Sequence, residues 1–280
     1  MSYTRGGGRT GKGDHLTPQV MTISNWQLAM GLIFILGAGI MSLVHSLRLE
    51  RDLLVGTLRT FVQLFALGYL LNIIFALDRA LWVLLLFLFM VFFAAWTIRG
   101  RIKEKQIAFF FPIFSSMLLS YFLVSYLVTD VLVGAKPWWQ PQYFIPLSGM
   151  VIGNSMNAIA VSLDRLMGEL KKQRQEIEMM LCLGADYKEA SHTMLQSAIR
   201  AGMIPSINSM MAVGLVFIPG MMTGQILAGA DPLMAIRYQI VVMVMLVGST
   251  AIGSFIVVYL VRRRCFGEAY QLLLRPENSS

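Results

Sequence analysis

Seven stretches free or nearly free of charge punctuate the chain, near residues 26–46, 53–77, 80–98, 107–129, 143–163, 203–229 and 238–261. Most reach or exceed the roughly twenty residues that a helix rising 1.5 Å per residue needs to cross a hydrocarbon core of about 30 Å. The pattern predicts an all-α polytopic membrane bundle of about seven transmembrane helices. Arg59 interrupts the second stretch, but residues 60–77 are uncharged, and an arginine near a helix end can carry its guanidinium to the interface along its aliphatic stem. Three polar segments complete the pattern. Residues 1–25 are rich in glycine and polar side chains, lack an apolar core before Trp26, and are expected to form a flexible tail rather than a cleaved signal. Residues 164–200 form the longest polar link between spans, and 263–280 a second tail, leaving 26–262 as one membrane domain.

The polar link carries its own helical punctuation. Ile177, Met180, Leu181 and Gly184 recur at helical spacing, and a glycine suits the left-handed residue that closes a helix. Asp186 and Glu189 then stand at capping-box spacing, so a second helix should begin at Tyr187, with Ala190, Met194, Leu195 and Ala198 on its apolar side. Such a helix, turn and helix would present a knob to a soluble partner. An amphipathic pair resting on the membrane surface would produce the same pattern.

Composition agrees with the membrane assignment: 56% of the 280 residues are hydrophobic and only 14% charged, against about 25% charged in soluble domains. The net charge of +8 comes from lysines and arginines beside span ends, without the basic-aromatic interleaving of a nucleic-acid surface, so nucleic acid is not an expected partner. Arg48, Arg51, Arg99, Arg101, the 165–200 cluster, Arg262, Arg263 and Arg264 fall on one side, which the positive-inside rule makes cytoplasmic. The amino terminus is then outside and the carboxyl terminus inside. Cys182 and Cys265 belong to no CxxC or His-rich cluster and are expected to be structural thiols.

Chemistry inside the spans is sparse. The fifth stretch places Met150, Asn154, Asn157 and Val161 on one helical stripe, beside Gly149 and Gly153 at GxxxG spacing. The sixth holds Asn208, a Pro219–Gly220 pair expected to kink it, Met221, Met222 and Gln225, with Gly220 and Gly224 again at GxxxG spacing. Arg59 and Gln63 stand one turn apart in the second. These residues are the candidates for a substrate pathway, although interhelical hydrogen bonding, gap filling by methionine and snorkelling explain the same residue types. Spans three to seven lack Glu and His in their cores, which argues against a buried high-affinity iron site, and no metal ligand set is assigned.

Several strings resemble a known family. EIEMMLCLGADYKEASH (176–192) is similar to the coupling loop of ABC transporter permeases. RTFVQLFALGYLLNIIF (59–75), IPLSGMVIGNSMNAIAVSL (145–163) and SAIRAGMIPSINSMMAVGLVFIPGMMTGQILAGADPLMAIRYQI (197–240) resemble the FetB family of bacterial permeases, associated with iron export and related to plant membrane proteins of aluminium tolerance. The resemblance covers about residues 50–262. It implies a translocating, non-catalytic subunit in the cell inner membrane, working as a homodimer with a separate cytoplasmic ABC ATPase that binds ATP and Mg²⁺. It also implies that Glu176, Glu178, Leu183, Gly184, Ala185, Asp186 and Glu189 form the ATPase-coupling surface, and that the cargo is a metal ion or metal complex leaving the cytoplasm. The sequence has no GxxxxGK[ST] phosphate loop, so this chain is expected to bind no nucleotide cofactor by that route. A gradient-driven secondary transporter is the alternative, and it predicts intramembrane carboxylates that these spans almost entirely lack.

Overall fold

The computed structural model describes residues 23–101 and 109–274. The expected tail through residue 22, the approach to the fourth span at 102–108 and the last six residues lie outside the described residues. Ten α-helices follow in order: α1 (Asn25–Val44), α2 (Glu50–Leu77), α3 (Ala80–Arg101), α4 (Phe110–Leu127, prolonged by a π-helical turn Val128–Leu132), α5 (Pro141–Lys172), α6 (Arg174–Cys182), α7 (Tyr187–Ala190), α8 (His192–Ala212), α9 (Gly220–Leu227) and α10 (Pro232–Arg264). Among the described residues no strand forms; the only pairings outside helices are isolated bridges.

Local chemistry sets the starts. Ser24 and Gln27 close a capping box on α1, Pro141 and Pro232 occupy first helical positions where a missing N–H costs nothing, and Asp231 accepts the Met234 N–H at 3.1 Å.

Among the described residues, six helices are long and apolar enough to cross a membrane: α1, α2, α3, α4 with its π turn, α5 and α10. The expectation of seven continuous spans is corrected at 203–229. There α8 stops at Ala212, residues 213–219 leave the helix, and α9 has only eight residues, about 12 Å at 1.5 Å per residue. The cause is local. Gly214 sits at φ +82°, its N–H bonds the Phe217 carbonyl at 3.0 Å, and Pro219 cannot donate to a continuing ladder. The expected kink is a complete break.

The core gathers around α5, which packs on α3, α4, α8 and α10, while α10 also packs on α4 and α8. Ile159, Leu163 and Leu166 of α5, Ile113 and Met117 of α4, and Val257, Val258 and Val261 of α10 are fully buried. Close approach does not occur at the GxxxG spacings: a Cβ on Gly153, Gly220 or Gly224 would meet nothing within 4 Å, and on Gly149 only the tip of Met90. It occurs at Gly202 of α8, where a Cβ would fall 2.6 Å from the Ala158 carbonyl oxygen, and at Gly253 of α10, which faces the Tyr121 hydroxyl.

Helices α1 and α2 form a peripheral hairpin in which only Ser42 and Ile74 are buried. Ser42 ties the turn, donating to Glu50 at 2.8 Å and accepting from the Leu49 N–H at 3.0 Å. Most of the remaining leucines and phenylalanines of this hairpin face outward, while Leu71 packs against the core, as lipid-solvated helices allow. With 32 and 33 residues, α5 and α10 reach about 48 and 50 Å, well beyond a 30 Å hydrocarbon core. Their carboxyl ends, carrying Lys171, Lys172, Arg262, Arg263 and Arg264, project from the bundle together with the elbow of α6 and α7. The expected polar link at 164–200 is correspondingly shortened, because α5 runs to Lys172 and α8 begins at His192.

Candidate functional site

The elbow is built by two capping devices. At the end of α6 the Gly184 N–H bonds the Leu181 carbonyl at 3.1 Å and the Ala185 N–H bonds the Met180 carbonyl at 3.0 Å, a Schellman closure with Gly184 at φ +96°. Asp186 then accepts the Glu189 N–H at 2.8 Å, and Glu189 returns the contact to the Asp186 N–H at 3.3 Å. Both devices stand where the spacing places them. Just before them, at the end of α6, Leu183 is 81% exposed and Met179 59% exposed, two apolar side chains offered outward. Glu176 lies in the first turn of α6, Glu178 pairs with Arg174 at 2.7 Å, and Ala185 is half-buried.

Beyond the elbow, Ala190, Met194, Leu195 and Ala198 are buried as expected, and α7 gives way after one residue to α8. The elbow is therefore the start of a helix that enters the bundle. Tyr187 anchors it laterally. Its ring lies 5.5 Å from those of Phe266 and Tyr270, and the Arg262 guanidinium sits 5.7 Å from it and 5.1 Å from the Tyr259 ring. Arg262 is only 2% exposed, and its Nε has no hydrogen-bond partner among the described residues, so the two aromatic faces hold the cation. Residues 265–274, part of the expected tail, fold back as a strap: the Leu273 N–H bonds the Cys265 carbonyl at 2.8 Å, and Arg174 of α6 donates to the Leu274 carbonyl at 2.6 Å. The strap joins α6, α7 and α10. Sequence reasoning read its basic run as a topology signal only, and nothing in the spacing of Tyr187, Arg262 and Tyr270 marks their meeting.

A second set of candidates lies on α5, α8 and α9. Arg165 of α5 donates to Ser197 of α8 at 3.2 Å, and Gly202 meets Ala158 and Ser162. These contacts advance in opposite directions, so α5 and α8 are antiparallel, and the same register brings Asn208 level with Asn154. Asn154, Asn157 and Asn208 are all exposed and Met150 is half-buried; Asn154 offsets part of its polarity by donating to the Met150 carbonyl at 3.0 Å. Met221, Met222 and Gln225 on α9 are half-buried, and the Gln225 Oε1 is buried without a partner among the described residues. Arg59 and Gln63 stand apart on α2, exposed; the Arg59 guanidinium lies 5.0 Å from the Phe93 ring centroid of α3. Among the described residues no three His, Cys, Asp or Glu side chains group where they could hold a metal ion.

A bundle of long apolar helices around the central pair α5 and α10, six of the described helices able to cross a bilayer, defines a multi-pass membrane protein. The chain belongs to the Uncharacterised protein family (UPF0014), whose model matches residues 25–266. It is 37% identical over 251 residues to a UPF0014 membrane protein of Synechocystis sp., covering 89% of this chain and 97% of that protein. It is 35% identical to the probable iron export permease protein FetB of Escherichia coli over 90% of this chain and 96% of FetB. Protein ALUMINUM SENSITIVE 3 of Arabidopsis thaliana is 35% identical over 87% of this chain and 88% of its own length. The comparison with solved structures finds no match.

Proposed function

We propose that this chain is the membrane-spanning permease subunit of an ABC transporter that moves a metal ion or metal complex out of the cytoplasm, driven by a separate ATPase. The supporting observation is the elbow. An exposed apolar tip at Leu183 is followed by two capping devices, leads into α8 and is clamped to α10 through Tyr187 and Arg262. A push on this tip would move two of the helices that pack on α5. ATP and Mg²⁺ belong to the partner in this proposal, and this chain supplies only the docking surface and the path.

The pathway is assigned to the exposed asparagines of α5 and α8. Asparagines facing lipid in mid-span cost free energy unless a partner or water meets them, which favours a second copy of the chain opposite them and a polar path between the two. Weak carbonyl and thioether contacts from Asn154, Asn157, Asn208, Met221 and Met222 suit a cargo that must be released. Arg59, packed on Phe93, supports a tie between α2 and α3 and is kept as a lesser candidate. Copurification tests the proposal: the full chain extracted in mild detergent should carry a soluble ATPase whose turnover, after reconstitution in vesicles, rises with one metal or its chelate. A chain that transports the metal fully in vesicles without any such subunit would overturn it.

A further inference from the structure

A cleft of about 1110 Å³ opens at the projecting end, between the first turns of α4, the elbow and the carboxyl end of α10. Its lining has two characters. Phe111 and Pro112 in the first turn of α4 and Leu260 near the end of α10 supply apolar surface, and Lys188, Arg263 and Arg264 supply cations. Among the described residues none of these three cations forms an ion pair. Asp186 and Glu268 also border the cleft, so three cations stand against two carboxylates and the lining keeps a small positive excess, with the Asp186 carboxylate turned to the Glu189 N–H. Tyr270 closes one side, stacked on Tyr187.

Three cations outnumbering two carboxylates, beside an apolar lining at the ends of two membrane helices, match one chemistry: a phosphate joined to hydrocarbon chains. We propose that this cleft binds the headgroup of an anionic phospholipid, with Lys188, Arg263 and Arg264 on the phosphate and the acyl chains leaving past Leu260 and Phe111. Basic pockets between membrane helices recognise lipid headgroups in this way, each cation near the surface adding to the attraction. Because Tyr187 and Lys188 belong to the elbow, an occupied cleft fixes the elbow against α10. The proposal goes beyond the transport reading and stands without it.

Native mass spectrometry of the full chain in detergent, titrated with phosphatidylglycerol, phosphatidylcholine or inorganic phosphate, tests the site. One phosphatidylglycerol should be retained in preference to phosphatidylcholine. The R263Q/R264Q variant should weaken retention by about tenfold or more, whereas R48Q/R51Q, which removes two exposed cations at the same end of the bundle, should leave it unchanged. Lys188→Gln, on an exposed side chain outside the packed core, should weaken it by about threefold and serves if the double variant does not fold. Unchanged retention in the variants, equal loss in the R48Q/R51Q control, equal binding of phosphatidylcholine, or displacement of the lipid by equimolar inorganic phosphate would each overturn the assignment.

Discussion

Single atoms decide where this bundle closes. At Gly202 an added Cβ would meet the Ser162 hydroxyl, which can rotate away, and the Ala158 carbonyl oxygen at 2.6 Å, which cannot. Gly202→Ala should therefore force α5 and α8 apart and destabilise the fold by about 1–3 kcal/mol, read as a lowered unfolding midpoint in detergent. Adding Ser162→Ala should restore only part of the loss, because the carbonyl stays. Arg262 illustrates the opposite case, a cation with little access to water whose neighbours are aromatic faces rather than carboxylates. The same scale separates Leu183 from its neighbours: with four-fifths of its surface free, it contributes little to packing and can be changed at little cost in stability.

Among the elements, the elbow is the one whose form follows from sequence spacing. Glycine at the left-handed position and the Asp186–Glu189 box are short-range devices, formed within a few residues, and each appears where the pattern puts it. Leu183→Asp should leave the unfolding midpoint within about 0.5 kcal/mol of the parent, as surface changes do, while abolishing most metal-stimulated ATP turnover in the reconstituted complex. Unchanged turnover would detach the elbow from any docking role. The span at 203–229 shows the other outcome. Its hydropathy satisfies a membrane helix, but Gly214 and Pro219 remove the hydrogen bonds that continuity needs, and short α9 instead packs against α10.

At the scale of the whole molecule, the exposed asparagines of α5 and α8 and the thinly packed α1–α2 hairpin leave large apolar and polar surfaces to be met by lipid, water or another copy. Cysteines introduced at Asn154 and Asn157 should react with small polar thiol reagents in the assembled complex, with rates that change when ATP is added. Complete protection in every state would place both positions in dry helix packing.

Fold class and membrane residence were legible in the sequence because lipid imposes a one-dimensional rule: a spanning helix must satisfy its own backbone and carry enough apolar residues to cross. Caps were legible for the same reason, being contacts between residues two to five apart. The meeting of Tyr187 with Arg262 and Tyr270, the folding back of 265–274 onto Arg174, the close approach at Gly202 rather than at the GxxxG spacings, and the cleft lined by Lys188, Arg263 and Arg264 join residues tens of positions apart. Helix faces and axial register decide such contacts, and those are set only when the helices pack against one another.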